Sequence, residues 1–272
     1  MTPFAEKYGP WALVVGASDG VGALFAERIA REGVNVVLVA RRQHLLEEVA
    51  AGIGECTGAA TKTLAIDLTD PDASARIIDA TADLEIGMLV YCAGADPNYQ
   101  PFLANPVSSA EALLQRNCLV LMRLCHHYAQ RMVERGRGGI VNFSSGAALA
   151  GGPNMVAYGG TKAFDLVFTE GLWTELHDKG IDVLCLILGK TDTPALRELE
   201  HRRGQIASLD EVPPNAVAPQ VVIDEAFDNL TNGPTLLVGD MMRMAGEVFK
   251  TMSRNDAVKL VMQASEAVMG PH

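Results

Sequence analysis

A short apolar run, a glycine turn and a helical pattern follow one another directly near the start of the chain. The run Trp11–Val15 is typical of a buried parallel strand, and residues 23–31 have helical periodicity. The turn between them has the spacing G-x-x-x-G-x-G, which lets the backbone approach a pyrophosphate at the positive end of the following helix. This segment predicts a dinucleotide-binding unit, although a merely tight strand-to-helix turn has the same spacing. The predicted cofactor contacts in the turn are Gly16, Ser18, Asp19, Gly20, Val21 and Gly22.

A second apolar run, residues 34–40, ends in the neutral Ala40 and is followed by Arg41 and Arg42. An acidic residue at this strand end would bind the ribose hydroxyls of NAD, whereas arginine accommodates the 2′-phosphate of NADP. The planar guanidinium fork suits phosphate, so the two arginines favour NADP(H) over NAD(H). The alternative is that they only begin a solvated helix.

Two later apolar runs end in residues that we expect near the same nucleotide. One ends in Asp67 and Leu68, and the other in Cys92, Ala93 and Gly94. In a doubly wound sheet, ligands bind beyond the carboxyl ends of the strands, so both segments are predicted cofactor contacts. The alternative for Asp67 is a cap on the next helix.

Tyr158 and Lys162 stand one helical turn apart, and Ser145 ends a strand-like run thirteen residues before the tyrosine. Side chains at i and i+4 share a helix face, so the ammonium can lie close to the phenol. A nearby cation favours the phenolate and lowers a tyrosine pKa that is ordinarily about 10. The pair therefore predicts a phenol that exchanges protons near neutral pH, with the Ser145 hydroxyl beside a substrate oxygen. Taken alone, the same spacing is typical of an ordinary half-exposed helix.

The ordered series of motifs resembles the short-chain dehydrogenase/reductase family over nearly the whole chain. The matching pieces are the glycine turn, Asp67, Cys92-Ala-Gly94, Asn117, Ser145 and Tyr158-x-x-x-Lys162. The resemblance implies that Tyr158 is the general acid and base, that Lys162 binds the ribose and lowers the tyrosine pKa, and that Ser145 binds the substrate oxygen. It further implies that Asn117 holds a water that relays protons to Lys162.

The chain departs from the family pattern at three places. Val15 stands where threonine is usual, and Cys92 stands for the asparagine of N-A-G. In the third, Leu188 replaces the proline before Gly189. The resemblance places this last loop along the nicotinamide, so its path is the least constrained part of the site. The cofactor contacts predicted in the loop are Gly189, Thr191 and Thr193.

The alternating apolar runs and helical patterns predict one α/β domain over residues 1–272, a doubly wound Rossmann fold with a mostly parallel, about seven-stranded sheet. We expect residues at about 194–218 to form a lid on the substrate side of the site. The alternative is that they form only a solvent-exposed loop. A methionine-rich extension follows at about 240–272, suited to packing, to oligomer contact or to an apolar substrate. Residues 4–11 and 236–240 are most similar to the hydroxysteroid and long-chain ketoacyl reductase branch of the family.

The amino-acid composition argues against some classes of binding partner. The net charge of −11 argues against nucleic acid and anionic membranes. We see no signal peptide or membrane span, and the five cysteines contain no C-x-x-C, so we expect a cytoplasmic protein with reduced thiols and no metal site.

The sequence thus predicts an NADP(H)-dependent oxidoreductase that interconverts a secondary alcohol and a ketone on an apolar, steroid-like or acyl substrate. The family resemblance implies a homodimer or homotetramer. The alternatives are an NAD-dependent dehydrogenase and a non-enzymatic NADP-binding regulator of the same fold.

Overall fold

The fold is built around a parallel sheet whose central strands are buried on both faces. The computed structural model describes residues 3–96 and 98–269, with only the backbone for residues 266–269; the rest of the predicted domain lies outside the described residues. The described part forms seven strands: β1 (Trp11–Val15), β2 (Asn35–Ala40), β3 (Thr61–Ala65), β4 (Ile86–Tyr91), β5 (Gly138–Ser145), β6 (Ile181–Leu188) and β7 (Thr235–Leu237). Their order is β3-β2-β1-β4-β5-β6-β7, all parallel, which confirms the predicted doubly wound Rossmann fold.

Helices cover both faces of this sheet. The α-helices are α1 (Phe4–Tyr8), α2 (Gly20–Arg31), α3 (Gln43–Thr57), α4 (Ala73–Ala80), α5 (Val107–Leu114), α6 (Leu121–Arg135), α7 (Val156–Leu176), α8 (Pro194–Arg202), α9 (Pro219–Asp228), α10 (Asp240–Lys250) and α11 (Arg254–Met269). Alternate residues of β1 point to opposite faces. Val14 packs with α2, α3 and α9 in one apolar cluster, and Leu13 packs with α4 and α6 in the other. The sheet thereby separates two apolar layers and leaves its strand ends at the surface.

The strand order places a crevice at the carboxyl end of β1. β2 pairs with one edge of β1 and β4 pairs with the other edge, so the direction of the strand order reverses at β1. Such a switch point is where doubly wound folds bind ligands. The glycine turn, the Arg41 segment and the Cys92 segment all begin at this edge.

Element boundaries agree with the sequence prediction to within a few residues. The first strand has the predicted bounds, and α2 begins at Gly20, inside the glycine motif and three residues before the predicted helical pattern. The long helical segment that precedes β5 is interrupted by a π-helical turn over Gln115–Val120. A π turn inserts one residue into the helical repeat and is frequent at functional sites. Here it contains the buried Asn117.

Candidate active site

The glycine turn is closed too tightly to accept side chains. Gly16 has a φ of +93°, and a Cβ placed there would come 2.7 Å from the Ala93 backbone nitrogen. A Cβ on Gly22 would lie 2.0 Å from the Gly16 carbonyl oxygen. The turn is held against the neighbouring strand by the Gly16 amide, which donates to the Val39 carbonyl at 2.8 Å. These contacts leave bare backbone at the start of α2, a cradle that fits the pyrophosphate of a dinucleotide.

The two arginines after β2 occupy different positions. Arg42 reaches back across the glycine turn, where it pairs with the Asp19 carboxylate and donates to Ser18 Oγ at 3.3 Å. Arg41 is largely exposed, and its guanidinium lies 4.0 Å from the Asp67 carboxylate. Both arginines therefore follow the carboxyl end of β2, and each guanidinium has a carboxylate partner.

Asp67 closes a turn and does not cap the next helix, whose N-cap residue is Asp72. Its Oδ1 accepts hydrogen bonds from the Thr69 amide at 2.9 Å and from the Thr69 hydroxyl at 2.8 Å, which closes the turn after β3. Partial burial acts to raise the pKa of this carboxyl, but the Thr69 bonds and the Arg41 charge hold it below its usual value. Asp67 is thus an anion beside the crevice, and the neighbouring Leu68 is buried in the core.

Lys162 and Asn117 converge on the backbone of Gly94. A Cβ on Gly94 would lie 2.8 Å from Lys162 Nζ and 3.1 Å from Asn117 Oδ1. Asn117 Nδ2 donates to Thr161 Oγ1 at 2.8 Å, which joins the π turn to α7. The segment after β4 therefore meets two of the predicted catalytic residues inside the protein.

The Lys162 ammonium is buried and has defined partners. Its Nζ donates to the Phe143 carbonyl at 2.7 Å and to Asp165 Oδ2 at 3.0 Å. Burial acts to lower the pKa of Lys162, but the Asp165 charge raises it above the ordinary value. Sequence reasoning did not identify Asp165, although its i+3 spacing from the lysine was a visible signal.

Tyr158 and Ser145 lie on segments that pack against each other. Lys162 Nζ is 5.9 Å from the centre of the Tyr158 ring. Ser145 ends β5, and its Oγ accepts a hydrogen bond from the Ala147 amide at 3.2 Å. Gly159 brings the start of α7 onto this segment, since a Cβ there would come 3.1 Å from the Ala147 carbonyl oxygen. The structure thus gathers the four predicted catalytic residues around one end of α7.

A cavity opens beside Tyr158, between the segment after β4 and the first turns of α5 and α7. Its wall is partly polar and partly apolar, and includes Asp96, Asn98, Gln100, Phe102, Asn105, Ser109, Leu113, Arg116, Asn154 and Val156. Arg116, which the sequence analysis did not identify, donates to Asn117 Oδ1 at 3.1 Å. Burial lowers its pKa from the usual arginine value. Tyr158 is itself part of this wall.

The loop after β6 turns back towards the glycine turn. Thr193 begins α8 by accepting a hydrogen bond from the Leu196 amide at 3.3 Å, and a Cβ on Gly20 would lie 3.1 Å from Thr193 Cγ2. Thr191 forms an isolated bridge with Val217, which ties the two ends of the predicted lid together. Gly189 lies against Met242 of α10. The loop therefore runs between the cofactor cradle and the C-terminal helices.

The part of the chain that the structure describes has neither a cluster of metal ligands nor a helix that could span a membrane. Within ranges 3–96 and 98–269, His, Cys, Asp and Glu side chains form no group of three or more that could hold a metal ion. Within the same ranges, no helix has the length and apolar character needed to cross a bilayer.

Comparison with known proteins identifies clear relatives. The chain matches the family model described as short chain dehydrogenase over residues 10–204. It is 34% identical over 260 residues to a 7β-hydroxysteroid dehydrogenase from Clostridium sardiniense, covering 94% of this chain and 95% of the relative. A solved structure described for 7β-hydroxysteroid dehydrogenase stereoselectivity has a TM-score of 0.85 at 29% identity, covering 96% of this chain and 99% of that one. A short-chain dehydrogenase from Sphingobium yanoikuyae in complex with NADPH has a TM-score of 0.75 at 31% identity, covering 90% and 96%.

Proposed function

The chain belongs to the short-chain dehydrogenase family, in its hydroxysteroid branch, and we propose that its substrate is a hydroxysteroid or a similarly bulky, apolar alcohol and that its cofactor is NADP(H). It is an oxidoreductase that acts on alcohol and ketone groups. The observation that carries the proposal is the convergence of Lys162, Asn117 and Gly94 beneath Tyr158, next to a cavity. A nicotinamide cofactor, when bound, supplies the hydride for reduction or accepts it in oxidation.

The protein's own part in the reaction is to orient the substrate and to move one proton. The Tyr158 hydroxyl donates its proton to the carbonyl oxygen during reduction and recovers it during oxidation. Lys162 stabilises the phenolate with its charge and holds a ribose hydroxyl of the cofactor. The Ser145 hydroxyl donates to the substrate oxygen, and Asn117 positions the water that returns a proton from solvent.

Preference for NADP(H) is supported by the two cations at the end of β2. Arg41 and Arg42 border the crevice, and Ala40 leaves the strand end without an anion. The NADPH complex of the Sphingobium relative is consistent with this choice. The remaining predicted contacts, at Asp67, the Cys92 segment and the Gly189 loop, border the same crevice.

The bulky substrate is supported by the relatives and by the cavity beside Tyr158. The curated relative from Clostridium sardiniense acts on a hydroxysteroid. In this chain Phe102 and Val156 expose apolar surface on the cavity wall. A rigid apolar ring system can bury its faces there while its oxygen meets the tyrosine.

We further propose that the protein forms a homodimer or homotetramer through the outer faces of α5, α6 and α7. Leu114, Met122 and Val167 expose large apolar side chains on these helices. Burying such side chains against a second copy would remove apolar surface from water, which favours association. Sedimentation velocity of the purified chain distinguishes the two states, and a monomer throughout the micromolar range would refute the assignment.

The central experiment compares the native chain with Tyr158→Phe while NADPH absorbance is followed with steroid, acyl and small ketones. We expect the native chain to reduce a steroid ketone fastest, and the variant to lose turnover by about 100-fold or more because it lacks the proton donor. Its NADPH affinity, measured by fluorescence titration, should be unchanged. Silence of the native chain on every ketone despite tight NADPH binding would favour a non-enzymatic regulator.

A further inference from the structure

We propose that Asp165 is a positioning residue for the reaction, which keeps Lys162 protonated and anchored in its buried site. The inference rests on the proposed role of Lys162 as the cation beside Tyr158. Asp165 touches neither substrate nor cofactor in this assignment. It acts through the lysine.

The geometry is that of a closed ion pair inside the protein. The exposed fraction of the side chain is 4% for Lys162 and 3% for Asp165, and Nζ lies 3.0 Å from Oδ2. The Phe143 carbonyl accepts a second hydrogen bond from the ammonium. Asp165 Oδ1 has no hydrogen-bond partner among the described residues, so the carboxylate is held mainly by the lysine. Such an arrangement has a desolvation cost, which marks it as a feature with a role beyond packing.

The groups that face the pair from neighbouring elements are neutral near pH 7. They are Tyr91 of β4, Cys92 after β4, Cys118 of the π turn, Cys125 of α6 and Cys185 of β6. Burial raises the pKa of each of the four thiols to about 12. The negative charge that balances the Lys162 ammonium therefore comes from Asp165.

The proton on Lys162 is needed for both of its proposed tasks. An uncharged amine does not stabilise the Tyr158 phenolate, and it is a weaker donor to a ribose hydroxyl. A buried ammonium without a counter-charge has a pKa depressed by as much as about 3–5 units. Removing the Asp165 carboxylate should therefore bring the titration of the lysine into the working pH range.

The test measures cofactor affinity in the absence of substrate, at several pH values, for the native chain and for Asp165→Asn. This substitution conserves shape and removes the charge. We expect the native affinity for NADPH to be nearly constant from about pH 7 to about pH 9.5, and the variant to lose about ten-fold or more over the same range as Lys162 loses its proton. Alcohol oxidation by the variant should rise and then fall with pH, whereas the native rate should rise to a plateau.

The matched control is Glu175→Gln, which removes the same charge from an exposed position on the same helix. It should leave affinity and both pH profiles unchanged. If Asp165→Asn behaves like this control, the inference is overturned. Failure of the proposed function has a different signature, because it would appear as an active Tyr158→Phe chain or an inactive native chain.

A second variant covers the case in which Asp165→Asn is folded but too unstable for affinity measurements. The combined substitution Lys162→Met and Asp165→Asn removes the buried ammonium that would be left unpaired. We expect the double variant to fold and to melt at a higher temperature than Asp165→Asn. A double variant that is no more stable than Asp165→Asn would overturn the inference, since Asp165 would then serve some part of the fold other than Lys162.

Discussion

Arg42 pairs with Asp19 across the glycine turn, from a position 23 residues farther along the chain. The same guanidinium donates to Ser18 Oγ. Asp19 and a 2′-phosphate are both anions, so they compete for one cation. The pair therefore links the end of β2 to the glycine turn, where the pyrophosphate of the proposed cofactor would bind.

Replacing either arginine should weaken NADPH more than NADH. For Arg42→Ala and Arg41→Ala we expect a selective loss, because charge-assisted hydrogen bonds to phosphate contribute about 1.5–3 kcal/mol. Fluorescence titration with both cofactors measures the ratio. Arg31→Ala is the control, since this exposed arginine in the last turn of α2 pairs with Glu27 on the same helix. Equal losses for the two cofactors would count against the NADP(H) assignment.

Two helical glycines should respond in opposite directions to alanine. Gly22→Ala places a methyl group 2.0 Å from the Gly16 carbonyl oxygen, so we expect a loss of stability of about 1–3 kcal/mol and weaker binding of both cofactors. Gly52 of α3 has open space around it, and Gly52→Ala should stabilise by about 0.5–1 kcal/mol. Urea unfolding measures both. A tolerated Gly22→Ala would contradict the tight turn.

Glu200 should anchor the proposed lid. Its carboxylate in α8 is fully buried and pairs with Lys190 of the loop after β6. We expect Glu200→Gln to destabilise the chain by about 1.5–3 kcal/mol, because it removes the charge from a fully buried carboxylate that pairs with the partly buried Lys190 ammonium, and to raise the KM for the substrate. The exposed Glu247 pairs with Lys250, and Glu247→Gln should change stability by less than about 0.5 kcal/mol. Equal unfolding midpoints for the two variants would argue against a lid held in this way.

Thiol reactivity should distinguish one cysteine from the other four. Cys56 is exposed, whereas burial raises the pKa of the Cys92, Cys118, Cys125 and Cys185 thiols to about 12. Because the thiolate is the reactive form, a disulfide reagent at about pH 8 should modify Cys56 quickly and the others slowly. Unfolding should release all five. Cys56→Ser should remove the fast phase, and a persistent fast phase would show that a buried thiol is accessible.

Several parts of the fold could be predicted because they depend on local rules. The run Trp11–Val15 is apolar throughout, as a strand buried on both faces requires. The glycine spacing after it is typical of a turn that binds a dinucleotide. The i, i+4 spacing of Tyr158 and Lys162 required only that the segment be helical, which the structure confirms. The sequence constrains the bounds of β3 less tightly, because this edge strand is only partly buried and its apolar pattern is weaker.

The sequence by itself determined the class of fold, the order of the motifs and the residues expected at the site, since these follow from short-range periodicity and spacing. Only the tertiary structure decided which charges meet. Arg42 with Asp19, Lys162 with Asp165 and Lys190 with Glu200 are pairs whose strength depends on burial. Burial is set by how distant segments pack, and a buried charge requires a partner whereas an exposed one does not. A local pattern contains no measure of that difference. The i+3 spacing of Asp165 from Lys162 is visible in the sequence, but the burial of this pair and of Glu200 is decided by how the helices pack against the sheet.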